Sequence, residues 1–255
     1  MVHFVGAGPG AVDLITVRGK ELLEKADVII YAGSLVNPKL LEYAKETCEI
    51  HDSAKLDLEQ VVEIVKKAEK ENKMTVRLHT GDPSIYGAIR EQMDELDALN
   101  IEYDVTPGVS SFCGAAAALN MEYTLPGVTQ SVIITRMEKR TPVPERESVE
   151  ELSKHGATMV FFLSAGDSET LSKRLINAGT SKDTPVAVVY KATWDDEKKF
   201  VTDVENLPKV MAQNGINKTA LIIVGNSVKQ ADYEKSKLYS PDFTTGFRKG
   251  RNTDD

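Results

Sequence analysis

Short β-type runs and helical stretches alternate through the first half of this chain, and that rhythm narrows the possible folds more than any other feature. Runs rich in β-branched and aromatic residues fall at 3–6, 28–32, 49–52, 74–78 and 103–106. Apolar residues at helical spacing fill 16–25, 38–46, 58–71 and 84–99. Strands separated by helices pair in parallel through crossover connections, so the pattern predicts an α/β domain on a mainly parallel sheet. After an alanine-rich helix ending near Asn120, residues 122–127 read as a linker, and further strands are expected at 131–135, 159–163, 186–191, 200–204 and 220–224. Helices fit 168–177 and 204–213, while 185–204 reads as a hairpin around Trp194. The expectation is two α/β domains: residues 1–121 with a mainly parallel sheet, and residues 122–255 with a mixed one.

Two junctions in the first half have the look of ligand sites. Thr80-Gly81-Asp82-Pro83 closes a strand and opens the helical stretch that starts at Ser84. There Gly81 permits a backbone conformation closed to other residues, Asp82 is placed to cap the helix, and Pro83 suits its first position. Thr106-Pro107-Gly108 closes another strand, with Ser110 and Ser111 as caps of the helix beyond. In an open parallel sheet such turns gather at the carboxyl ends of the strands, where ligands bind. A third turn, at 6–11, has Gly6, Gly8 and Ala11 at the spacing of a dinucleotide fingerprint. That reading lacks its partners: Pro9 removes a backbone donor inside the loop, and the second strand ends at Tyr31-Ala32 with no carboxylate for a ribose.

Bulk properties remove several function classes. The net charge of −8 argues against general polyanion binding. No apolar run approaches the roughly 20 residues that span a bilayer, and the start lacks a signal-peptide pattern. Cys48 and Cys113 form no metal-binding or disulfide pattern, so a reducing cytoplasm fits best. Against this acidic background the stretch 136–147 carries Arg136, Lys139, Arg140 and Arg146 among Pro142 and Pro144, and reads as a mobile loop. Residues 243–255 read as a weakly anchored tail. Of the histidines, His3, His51 and His155 read as structural, and His79 stands out only because it abuts the Thr80 turn.

Five blocks stand in a characteristic order: VGAGPGAVDLITVRG (5–19), TGDPSIYG (80–87), PGVSS (107–111), PVAVVYKA (185–192) and TALIIVG (219–225). Together they resemble the tetrapyrrole (corrin/porphyrin) methyltransferase family from end to end. YAGSLVN (31–37), HDSA (51–54) and SKLYSPDF (236–243) are similar to the branch that methylates C-11 of precorrin-4 or cobalt-precorrin-4 in cobalamin synthesis. The resemblance implies S-adenosylmethionine as methyl donor, held in an active-site cleft between the domains, a tetrapyrrole substrate and a homodimer. By position it implies cofactor contacts from Pro9, Thr80, Gly81, Asp82, Ile85, Ser110 and Ser111, and from Leu163, Ala192, Thr219 and Ala220. No metal is implied. The uroporphyrinogen branch uses an Asp as proton acceptor where this chain has Ala32, and its proton-donating Lys has no clear counterpart near 51–54. The acid/base pair therefore does not carry over, and the general base stays unassigned. A uroporphyrinogen methylase is the nearest rival within the family, with a diphthine synthase or ribosomal RNA methylase behind it. A nicotinamide oxidoreductase and a non-catalytic nucleotide-binding module are the rivals from other classes.

Overall fold

The computed structural model describes residues 1–251; residues 252–255, the end of the expected tail, lie outside the described residues. Strands β1 (Val2–Gly6), β2 (Val28–Tyr31), β3 (Glu49–Asp52), β4 (Thr75–His79) and β5 (Tyr103–Thr106) form one sheet in the order β3-β2-β4-β1-β5. Every pairing in it is parallel, with Val2 opposite both Thr75 and Tyr103. β1 and β4 are buried along their whole length, as central strands covered on both faces should be. Alternate residues serve opposite faces. Val2, Phe4, Val28 and Ile30 pack with Val61, Val65, Met93 and Leu96 of α2 (Leu58–Lys70) and α3 (Ile89–Ala98). Val5, Ile29, Val76 and Leu78 pack with Leu23 and Leu40 on the other face. Leu23 belongs to α1 (Val17–Lys25), capped by Thr16, while α2 starts with a reciprocal capping box between Asp57 and Gln60.

A second sheet takes β6 (Val132–Arg136), β7 (Thr158–Phe162), β8 (Pro185–Tyr190), β9 (Lys198–Asp203) and β10 (Ala220–Val224) in the order β6-β7-β10-β8-β9. β6 runs parallel to β7 and β10 antiparallel to it, so this sheet is mixed, as expected. α5 (Val149–Ser153), α6 (Ser168–Asn177) and α7 (Leu207–Gln213) complete the set, after α4 (Ser111–Leu119) in the first half. By internal contacts the chain divides into two compact units. The first joins Met1–Leu119 with Val189–Lys199 and Thr219–Leu221; the second takes Asn120–Val188, Phe200–Lys218 and the chain from Ile222 on. Among the described residues no helix is long and apolar enough to cross a membrane.

One local expectation changes and two gain detail. The stretch 38–46 forms a 3-10 helix, Pro38–Tyr43, with Asn37 capping the N–H of Lys39. The linker at 122–127 is tied down: Tyr123 O accepts from Thr158 Oγ1, and Glu122 N–H donates to Gln230. The tail up to Arg251 folds on itself, because the Arg248 guanidinium donates to the carbonyls of Leu238, Ser240 and Phe243.

Candidate active site

Because β1 lies between β4 and β5, the turns that follow these three strands are neighbours. They are joined backbone to backbone. Gly8 N–H donates to Gly81 O at 3.2 Å and Gly81 N–H to Gly8 O at 2.9 Å, a two-residue bridge between the first and second turns. Gly6 approaches the third turn so closely that an added Cβ would lie 2.5 Å from Gly108 Cα. The glycines of the fingerprint are thus used in packing turn against turn.

Asp82 holds the second turn to the third. Its Oδ1 accepts from the N–H and hydroxyl of Ser84, and its Oδ2 accepts from Gly108 N–H at 2.9 Å. Burial works to raise the pKa of this carboxyl, but the bonds from the Ser84 hydroxyl and the Gly108 and Ser84 N–H groups outweigh it and hold the group below its usual range. The expected role as cap of a helix starting at Ser84 is not what Asp82 does. Residues 83–86 form a turn, Tyr86 (φ 55) and Ala88 (φ 49) are left-handed, and α3 starts only at Ile89. Two left-handed residues cannot continue a right-handed helix, so the helical spacing of 84–99 overran the true start.

The other residues implied by the resemblance fall as follows. Pro9, Gly81, Ser110, Ala192 and Ala220 are buried; Thr80, Asp82, Ile85, Ser111 and Thr219 are half-buried. Ser110 starts α4 through its carbonyl, which accepts from Gly114 N–H. Lys191 N–H donates to Thr219 O at 2.9 Å, which brings the segment of Ala192 to the Thr219-Ala220 pair within the first unit. Leu163 belongs to the second unit, where it is 63% exposed and left-handed (φ 53). Lys191, Thr193 and Thr219 are also left-handed, at φ 48, 69 and 54. Such conformations are costly for residues with a Cβ, above all β-branched ones, and they concentrate at ligand sites. Sequence reasoning missed the residues whose side chains hold the first turn: Asn37, Thr193 and Trp194. A single tryptophan at a polar hairpin tip was the available signal.

His79, at the end of β4, is 4% exposed with its ring 6.0 Å from that of Phe4. Its Nε2 has no hydrogen-bond partner among the described residues, and burial, assisted by the Arg77 guanidinium, pushes its pKa down to about 3. It is a neutral core imidazole. In the second unit the basic stretch is ordered by its first cation, since the Arg136 guanidinium donates to the carbonyls of Met137, Thr141 and Pro142. Lys139 and Arg140 line a cavity of about 390 Å³ with Glu138 and Pro142–Glu145, whereas Arg146 points outward beside Glu147. Among the described residues no group of three or more His, Cys, Asp or Glu side chains is placed to hold a metal ion.

Residues 1–208 match the family model of tetrapyrrole (corrin/porphyrin) methylases. The chain is 52% identical to the cobalt-precorrin-4 C(11)-methyltransferase of Methanocaldococcus jannaschii over 97% of its own length and 96% of that protein's. It is 42% identical to the precorrin-4 C(11)-methyltransferase of Mycobacterium tuberculosis, over 94% and 96% of the two chains. An X-ray structure of a cobalt precorrin-4 methyltransferase, a cobalamin biosynthetic enzyme, matches with a TM-score of 0.87 at 48% identity, covering 89% of this chain and 95% of that one. This chain belongs to the tetrapyrrole methylase family, in agreement with the resemblance seen in its five sequence blocks.

Proposed function

We propose that this protein is an S-adenosylmethionine-dependent C-methyltransferase acting at C-11 of a precorrin-4 macrocycle in cobalamin biosynthesis. The observation that carries this reading is the set of three strand-end turns, bridged at Gly8 and Gly81 and stapled by Asp82, in a chain of this kinship. Its donor set fits the cofactor. Turn backbones and the hydroxyls of Thr80, Ser110, Ser111 and Thr219 offer neutral hydrogen-bonding groups for a ribose and an amino-acid end. Pro9, Ile85, Ala192 and Ala220 offer short apolar surfaces for the base. S-adenosylmethionine, when bound, supplies an electrophilic methyl group on a sulfonium. Transfer of that methyl to an electron-rich carbon needs alignment and exclusion of water more than a protein nucleophile. The chain's own residues therefore bind and orient, and none is assigned as a general base.

The substrate of this reading is a polycarboxylate, which gives the cavity-lining Lys139 and Arg140 a purpose in a chain of net charge −8. Higher identity to the relative named for the cobalt form than to the one named without it favours a cobalt-bearing macrocycle. A cytoplasmic homodimer belongs to the same reading, and light scattering on the purified protein tests the dimer. The deciding experiment is an anaerobic assay with a carbon-13-labelled methyl donor, cobalt and metal-free precorrin-4 substrates being run side by side. A label at C-11 is expected, with none transferred to uroporphyrinogen III. Label at C-2 or C-7 would move the protein to the uroporphyrinogen branch. Binding of S-adenosylhomocysteine with no labelling of any tetrapyrrole would favour the diphthine synthase reading.

A further inference from the structure

Three successive residues of the first turn, Pro9, Gly10 and Ala11, are each held by a side chain from elsewhere in the first unit. The Trp194 indole donates from Nε1 to Pro9 O at 3.1 Å, Asn37 Nδ2 donates to Gly10 O at 2.8 Å, and Ala11 N–H donates to Thr193 Oγ1 at 2.9 Å. The indole also lies against Gly10, where an added Cβ would meet its Cδ1 and Nε1 and come within 2.8 Å of Cγ. Gly10 is not among the residues with positive φ, so no left-handed backbone reserves the position for glycine, and the three atoms nearest an added Cβ all belong to the tryptophan ring. The segment that delivers these groups is itself strained and tied. Thr193 is left-handed, with its N–H on Glu197 Oε2 at 2.6 Å; Lys191 is left-handed and pairs with Asp196 at 2.7 Å; Asp195 pairs with Lys39 at 3.0 Å.

We infer that Trp194 and Thr193 are positioning residues that clamp the backbone of 9–11 in the shape the methyl donor meets, so that binding has no loop left to order. This rests on the reading of the three turns as the S-adenosylmethionine site. A turn ordered before binding spares the complex that ordering free energy, and the gain appears in affinity for the ligand that touches the turn.

The test measures S-adenosylhomocysteine affinity by calorimetry, with melting temperature and the separate KM values for S-adenosylmethionine and for the tetrapyrrole. W194F keeps a ring and loses the N–H donor; T193V keeps the shape and loses the acceptor; T193S keeps both acceptor and turn. W194F and T193V are expected to weaken S-adenosylhomocysteine binding about tenfold, on the scale of one hydrogen bond and the order it imposes. T193S should bind as wild type does, and KM should rise for S-adenosylmethionine and not for the tetrapyrrole. G10A should weaken binding in the wild-type background and have little effect in W194A, since the clash is with the indole. An equal effect of G10A in both backgrounds, unchanged affinity in folded W194F and T193V, or an equal rise in both KM values overturns the clamp. If the wild-type protein binds no S-adenosylhomocysteine, the site reading falls and the clamp with it; if it binds while the variants are indifferent, the clamp alone falls.

Discussion

At Asp82 one carboxylate bridges two turns 26 residues apart, and its removal strands the N–H groups of both Gly108 and Ser84. The site is half-buried, so Asp82→Ala should lower stability by about 1 kcal/mol and weaken S-adenosylhomocysteine binding as the second and third turns part. Urea denaturation and calorimetry read the two effects, and unchanged affinity in a folded variant would leave the turn purely structural. Because the carboxyl is held below its usual range, its stabilisation is complete above the ordinary carboxylate pKa and is lost as pH falls through the lower folded value. His79 acts over a different window. With a pKa of about 3 folded against 6.5 unfolded, it binds its proton preferentially in the unfolded chain, so stability falls as pH drops below about 6.5. His79→Phe should remove roughly 2 kcal/mol of the loss otherwise seen between pH 7 and 5, by denaturant midpoints at the two pH values. An acid limb of unchanged slope in that variant would refute the assignment. The importance of Asp82 was legible from its place between strand and helix. Its partner Gly108 was not, because the bond depends on β1 lying between β4 and β5, which no local pattern states.

Strands were the most legible elements, since β1, β4 and β10 are buried runs whose residue types admit little else. Helix starts were less so. The apolar spacing of 84–99 is real, but Tyr86 and Ala88 interrupt it with a backbone conformation that spacing cannot reveal. The basic stretch shows the same limit, for its four cations look alike in sequence and do unlike things. Arg136 bonds to its own loop's carbonyls, so Arg136→Ser should lower the melting temperature by a few degrees, as expected for about 1 kcal/mol in a chain of this size. Lys139 and Arg140 line the cavity, so replacing both by Ser should raise KM for the tetrapyrrole in a salt-sensitive way and leave melting unchanged. A KM unmoved by the double substitution would return the pair to solvent-facing charges.

The first compact unit is assembled from Met1–Leu119 and two pieces from the other half of the sequence, Val189–Lys199 and Thr219–Leu221. Two α/β sets and their order were readable from the alternation of strands and helices; this one-way loan of segments to the first unit was not, because it follows from where β8, β9 and β10 end in space. Trp194, the one tryptophan, sits on the first turn and so reports on that assembly. Its fluorescence reads only the first unit, so under denaturant it should be lost at a midpoint where far-ultraviolet circular dichroism also falls, as that unit's sheet and helices melt together. Fluorescence lost well before any fall in ellipticity would show that the 189–199 segment detaches on its own. The borrowed segment also sets an order of events during synthesis. At roughly 5–20 residues per second, the glycine-rich turn emerges from the ribosome roughly 10–40 seconds before the indole that covers it. A message cut short ahead of Trp194 therefore yields a strand-rich fragment whose first turn is left uncovered, a substrate for chaperones and proteases in place of a half-working enzyme.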